Sequence, residues 1–95
     1  MARRYDIKIT LISQLKKCPA GHKVGDTWTV GRYTPEGMCL GAFSSLLPYI
    51  TTLRYGGSFP WEKDPDKATF CCPDAEVVNA FRLERVRPEG EDEPE

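Results

Sequence analysis

Apolar and polar residues alternate near the start of the chain, from Tyr5 to Leu11, with the period of a half-buried β-strand. A second strand is predicted over Thr27 to Val30, where Trp28 and Val30 share one face. A long loop that contains a cysteine separates the two strands, and we expect them to pair antiparallel. Trp28 is expected to lie in the core.

The spacing of apolar residues changes to that of a helix after Leu40. Pro48 interrupts this pattern, because it has no N–H to donate to the carbonyl of Ser44 and its ring crowds the preceding turn. The pattern predicts either a kinked helix or a short turn followed by a second helix, ended by Gly56 and Gly57. The predicted apolar stripe consists of Phe43, Leu46, Leu47, Ile50 and Leu53.

Two further strands are predicted over residues 68–72 and 77–86, again from alternation. Between the helix and the third strand, the segment 55–66 carries Phe59 and Trp61. We expect these two rings to fold back onto the core rather than to form a lid or a partner surface. The element order ββαββ predicts an α+β fold, in which a small antiparallel sheet packs on one kinked helical segment.

Length and charge limit the organisation and the partners of the chain. Its 95 residues, 40% of them hydrophobic, suffice for one domain, which we assign to residues 1–87. Residues 88–95 are predicted to be an acidic, disordered tail. A net charge of −1 disfavours nucleic acid as a partner. Seven basic side chains nevertheless fall in the first 32 residues, and we interpret them as a solvated face: Arg3, Arg4, Lys8, Lys16, Lys17, Lys23 and Arg32.

The start of the chain shows no apolar segment of the secretory type, and no run approaches the length needed to span a membrane. We therefore expect a cytoplasmic protein without a membrane partner. In a reducing compartment, cysteines serve as metal ligands, reactive thiols or core residues more often than as disulfides.

The four cysteines, Cys18, Cys39, Cys71 and Cys72, contain no C-x-x-C pair, so their spacing alone is a weak indication of a metal site. Proline follows Cys18 and Cys72 and would hold each thiol on a stiff segment. Cys39 precedes the helix, where the positive end of the helix dipole favours a thiolate. Cys71 is expected to face away from Cys72, since neighbouring side chains of a strand alternate in direction. We predict that Cys18, Cys39 and Cys72 meet at one end of the sheet.

The single histidine, His22, follows Cys18 by four residues in a glycine-containing loop. It is a candidate fourth ligand, either in a Cys₃His zinc site or at the open iron of a three-cysteine cluster. An equally weighted alternative is a loop histidine that hydrogen-bonds to a backbone carbonyl or to water. Scattered core cysteines without any metal are a further alternative.

Several motifs together resemble those of a family of small prokaryotic proteins, found in anaerobes among others, that has no assigned function. The resemblance spans about residues 4–86, and the family pattern carries cysteines at the positions of Cys18, Cys39 and Cys72, accompanied by His22. Three cysteines without a fourth resemble clusters that leave one iron open. This chain departs from the family pattern at Cys71, which leaves a four-cysteine site open, and in its acidic tail. The motifs are CPAGHKVGD at 18–26, GMC at 37–39, RYGGSFPWE at 54–62, DPD at 64–66 and CPD at 72–74.

The sequence therefore predicts a small metal-binding protein with Cys18, Cys39 and Cys72 as ligands and an iron–sulfur cluster, of the 4Fe–4S type, as the favoured cofactor. Such a site implies a redox or substrate-binding role and a redox partner protein. The alternatives are a structural zinc site, or a metal-free homo-oligomeric interaction module without catalysis.

Overall fold

The computed structural model describes residues 4–71 and 77–87, and shows one four-stranded antiparallel sheet with one helix. The spatial order of the strands is β2-β1-β4-β3. The α+β class, the ββαββ order and the antiparallel pairing of the first two strands are confirmed. The elements are β1 (Asp6–Ser13), β2 (Thr27–Val30), α1 (Leu40–Arg54), β3 (Lys67–Cys71) and β4 (Ala80–Val86).

The two central strands supply most of the core, since their alternate residues point towards the helix. Ile7, Ile9 and Leu11 of β1 are fully buried, and so are Phe81 and Leu83 of β4. In the register of the two strands, Ile9 lies directly opposite Leu83, and Leu11 lies opposite Phe81. On β2, the next strand along, the tryptophan predicted to be in the core is buried as well.

Helix α1 runs through Pro48 without a break, so the alternative of two separate helices is wrong. Two threonine hydroxyls after the proline donate to carbonyls four residues earlier, Thr51 to Leu47 and Thr52 to Pro48. The buried stripe also differs from the predicted one. Leu47 is 44% exposed and lies outside it, and the face against the sheet is formed by Ala42, Leu46, Ile50 and Leu53.

The predicted glycine stop of α1 is confirmed. Gly56 has a positive φ of 90°, a conformation that glycine adopts without the penalty of a Cβ. Its N–H donates to Leu53 O, and the N–H of Gly57 donates to Thr52 O at 2.8 Å. These two hydrogen bonds satisfy carbonyls that the end of a helix leaves without partners.

Strand β4 begins at Ala80 rather than at the predicted residue 77. The physical reason is Val78, whose φ of +49° is incompatible with an extended strand. Val77 forms part of a turn instead, and its carbonyl accepts the N–H of Leu15 at 2.8 Å. The predicted acidic tail and Cys72 lie outside the described residues. Within the described part of the chain, no helix is long and apolar enough to cross a bilayer.

Candidate functional site

Strand register brings the ends of three strands together in one row. Cys71 at the end of β3 pairs with Ala80 at the start of β4, and Ala80 pairs with Ser13 at the end of β1. The loop that carries Cys18 leaves the sheet from this row, because it follows Ser13 directly. We call this end of the sheet the cysteine end.

Hydrogen bonds fix the loop of Cys18 against the segment that leads into β4. Gln14 Nε2 donates to His22 O at 2.9 Å and to Asn79 Oδ1 at 3.0 Å, which ties both ends of the loop to a buried asparagine. Within the loop, Gly21 N donates to Cys18 O at 2.9 Å and closes a turn. The backbone around Cys18 is therefore held in one place by local and long-range bonds.

His22 connects this loop to the helix. Its Nε2 accepts the backbone N–H of Cys39 at 3.0 Å, and its ring meets Trp28 edge-on with centroids 4.9 Å apart. The side chain is buried, as the residue is 8% exposed. The sequence left metal ligation and hydrogen bonding as equally weighted alternatives for His22, and the structure shows a hydrogen bond to the backbone. The partner is an N–H group, whereas a carbonyl or water was expected.

The bond to Cys39 determines the tautomer of His22. A neutral imidazole has one nitrogen with a lone pair and one with a proton. Because Nε2 accepts a hydrogen bond, the proton resides on Nδ1, and the lone pair is engaged by the Cys39 N–H. Neither nitrogen is free to coordinate a metal in this arrangement.

Cys18 is buried at 8% exposure, while Cys39 is half-buried at the N-cap of α1. The cap has an extended backbone, with φ −66° and ψ 150°, and no side chain accepts a hydrogen bond from the first turn. Uncapped N–H groups leave the positive end of the helix dipole beside the Cys39 thiol. The Cys39 side chain therefore lies beside backbone N–H groups that no side chain caps.

The remaining two cysteines differ in what the structure describes. Cys71 is exposed, and its carbonyl accepts the hydroxyl of Ser45 at 3.1 Å, which joins β3 to the helix near the cysteine end. Cys72 lies outside the described residues. Within residues 4–71 and 77–87, no group of three or more histidine, cysteine or acidic side chains is arranged to hold a metal ion. The predicted set of three thiols includes Cys72 and therefore stays a prediction.

A charged cluster at the opposite end of the sheet was missed by the sequence reasoning. Asp66 accepts two hydrogen bonds from Arg87, 2.8 Å from Nε and 2.7 Å from Nη2, and lies 3.5 Å from Arg85 Nε. Arg85, whose side chain is 2% exposed, donates to the carbonyls of Gly57 and Pro65. The cluster thereby fastens the segment 55–66 to the end of β4.

Both guanidinium groups of this cluster also lie over the buried ring of Tyr5, 5.2 Å and 5.3 Å from its centroid. The hydrogen bonds from Arg87 hold the pKa of Asp66 below its usual value, against the opposing effect of partial burial. Burial lowers the pKa of Arg85, and the hydrogen bond to Asp66 raises that of Arg87. The sequence does carry a signal for this cluster, because Arg85 continues the inward phase of the apolar residues that precede it in β4.

The aromatic residues of the segment 55–66 follow the prediction in part. Phe59 packs against the core and meets Tyr49 at 5.9 Å, as expected of a ring that folds back. Tyr49 in turn stacks on Phe70 with centroids 3.7 Å apart. Trp61 contacts Phe59 at 5.1 Å but remains 63% exposed, so it lies on the edge of this cluster rather than within the core.

Comparison of the chain with protein-family models, with curated proteins and with solved structures finds no match. The geometry of the cysteine end is therefore the basis on which a function is argued.

Proposed function

We propose that this protein is a small metal-binding protein whose ligands are the thiolates of Cys18, Cys39 and Cys72, with an iron–sulfur cluster as the bound group. The observation that carries the proposal is the row of strand ends Ser13, Ala80 and Cys71. It brings the loop of Cys18 to the same end of the sheet as the residue before Cys72. The hydrogen bond from the Cys39 N–H to His22 Nε2 brings the start of the helix to this end as well.

The environment of the two described thiols fits a soft metal. Cys18 is shielded from solvent, and Cys39 lies at a helix N-terminus whose first N–H groups no side chain caps. A thiolate-bound cluster would supply one-electron transfer, or an open iron for a substrate. The two hydrogen bonds that Gln14 donates restrict the loop of Cys18. They therefore reduce the conformational entropy that the loop would lose when Cys18 binds a metal.

His22 favours iron–sulfur over zinc. A Cys₃His zinc site needs a histidine lone pair, and that of His22 is engaged by the Cys39 N–H. Its role in the proposal is to position Cys39 through the backbone. A three-thiolate set without a fourth protein ligand suits a cluster with one open iron better than a closed structural zinc site.

Anaerobic reconstitution of the full chain with iron and sulfide tests the proposal. We expect a brown protein with near-stoichiometric iron and sulfide. A colourless product that binds one zinc ion per chain would contradict the cluster and favour the zinc alternative. A product that retains neither metal would contradict metal binding altogether.

A second candidate function, a homo-oligomeric interaction module, is favoured by an apolar surface on the outer face of α1. Leu40 is 81% exposed and Leu47 44%, and both border hollows that Phe43 also lines. Arg32 lines the hollow near the C-terminal end of the helix, and Glu36 precedes its N-terminal end. An antiparallel two-fold pairing with a second copy would place the N-terminal end of one helix beside the C-terminal end of the other, and would so bring these opposite charges together.

Light scattering at several concentrations tests this second candidate. A dimer that dissociates in Leu47→Glu but persists in Val24→Glu would support it, because Val24 is 58% exposed and does not line those hollows. A monomer at every concentration would contradict it without bearing on the metal.

A further inference from the structure

A pocket of about 280 Å³ opens beside the loop of Cys18. None of the described cysteines lines it, so it is distinct from the proposed ligand set. Its walls come from the two ends of the loop, which the Gln14 side chain holds together through His22 O. The lining residues are Gln14, Leu15, Lys16, Lys17, Gly21, His22 and Lys23.

The charge of this pocket is one-sided. Three of its residues, Lys16, Lys17 and Lys23, carry exposed ammonium groups, and no carboxylate is found among the described residues that line it. The nearby Asp26 is engaged by the backbone, since its Oδ2 accepts the N–H of Lys23 at 2.9 Å. Three cations around one concave surface attract an anion and raise its local concentration.

His22 adds a donor on a buried ring to the three exposed lysines. It is buried, it lines the pocket, and its Nε2 accepts the Cys39 N–H, so Nδ1 carries the proton. Within residues 4–71 and 77–87, the Nδ1–H has no hydrogen-bond acceptor. This nitrogen is not among the fully buried side-chain atoms that lack a partner, so its N–H is accessible to a ligand or to water.

We propose that this pocket binds a small oxyanion, the carboxylate or phosphate group of a metabolite, through the Nδ1–H of His22 and the three ammonium groups. Such an anion accepts the Nδ1–H and neutralises the lysines at the same time. The site depends on the Nδ1–H tautomer of His22, which the hydrogen bond from the Cys39 N–H to Nε2 selects. It does not depend on metal binding, because its donors are separate from the thiols.

The single histidine allows a direct test by nitrogen-15 NMR of its imidazole in the full chain. The free protein is expected to show the Nδ1–H tautomer. Titration with inorganic phosphate and, separately, with succinate should move the Nδ1–H resonance to saturation in at least one case, and the tighter probe identifies the class. Matched chloride should leave the resonance in place. Absence of saturation with both probes, or a free protein with the proton on Nε2, would overturn the proposal.

A matched pair of double variants tests whether the lysines of the pocket, and not the net charge of the protein, attract the anion. Lys17→Gln with Lys23→Gln removes two ammonium groups of the pocket and should weaken binding at least about threefold, as expected for exposed charges. Lys8→Gln with Lys63→Gln changes the net charge equally at exposed positions outside the pocket and should weaken it less than about twofold. Equal weakening in the two variants would show attraction by net charge alone and overturn the site.

Discussion

Replacement of Asp66 by asparagine tests the charged cluster that fastens the segment 55–66 to β4. The substitution keeps the shape of the side chain but removes the negative charge, and it replaces one oxygen by an amide donor. Two hydrogen bonds from Arg87, at 2.8 Å and 2.7 Å, and the 3.5 Å approach of Arg85 Nε depend on that charge.

The expected cost follows from what is left behind. The Arg85 side chain is 2% exposed and retains the carbonyls of Gly57 and Pro65, but loses its nearest anion. Removal of one partner of a buried pair costs about 3–5 kcal/mol. Asp66 is partly solvated, with a side chain that is 26% exposed, so a smaller loss of about 2 kcal/mol is expected. For a domain of this size, that corresponds to a drop of about 8–16 °C in Tm.

Urea unfolding at pH 7, followed by circular dichroism, measures this difference, with Asp64→Asn as the matched control. Asp64 is 51% exposed, lies 4.0 Å from Lys67, and accepts the Asp66 N–H through Oδ1, an oxygen that asparagine retains. The control should lose less than about 0.5 kcal/mol. A loss for Asp66→Asn no larger than that of the control would refute the assignment of this cluster as a fastening.

The pH dependence provides an independent check. Hydrogen bonds from Arg87 depress the pKa of Asp66 in the folded protein, so the folded state stabilises the carboxylate. That contribution is present above the pKa of the unfolded chain, about 3.9, and is lost as pH falls through the lower folded value. The stability difference between wild type and Asp66→Asn should therefore shrink below about pH 4. A difference that stays constant down to pH 2.5 would contradict the ion pair.

Two further pairs of variants test the packing. Leu46→Ala removes a fully buried side chain and should cost about 2–5 kcal/mol in urea unfolding, while Leu47→Ala, 44% exposed, should cost less than about 1 kcal/mol; equal costs would contradict the assigned face of α1. Gly57→Ala would place a Cβ 2.9 Å from the carbonyl oxygen of Thr52, and should lower the Tm more than Gly56→Ala, where the left-handed backbone costs about 1–2 kcal/mol but the space is open; the reverse order would contradict the observed helix end.

Alternation and helical spacing were enough to predict the fold, because one buried face determines each element. The apolar phase of β1 and the stripe of α1 both follow from burial against a single core. The face of α1 was predicted only in part, since Ala42 and Leu47 have exchanged roles. A helical stripe can rotate by one position when a small residue permits closer approach to the sheet, and spacing alone does not distinguish the two arrangements.

Features that depend on long-range hydrogen bonds were not predictable in the same way. The bond between His22 and Cys39 joins residues 17 positions apart, and no local pattern encodes it. Arg85 is different, because its position in phase with Phe81 and Leu83 marked a charge on the core face of β4. A charge in that phase requires an internal partner, but the sequence does not say that the partner is Asp66.

The central claim is that Cys18, Cys39 and Cys72 hold one metal centre, and metal content across four single serine variants tests it most directly. After identical anaerobic reconstitution, Cys18→Ser, Cys39→Ser and Cys72→Ser should each lose most of the bound iron and sulfide. Cys71→Ser serves as the matched control, because Cys71 is exposed and neighbours Cys72 in the chain, and it should retain the content of the wild type. Full metal content in Cys18→Ser or Cys39→Ser, or a loss confined to Cys71→Ser, would contradict the shared site.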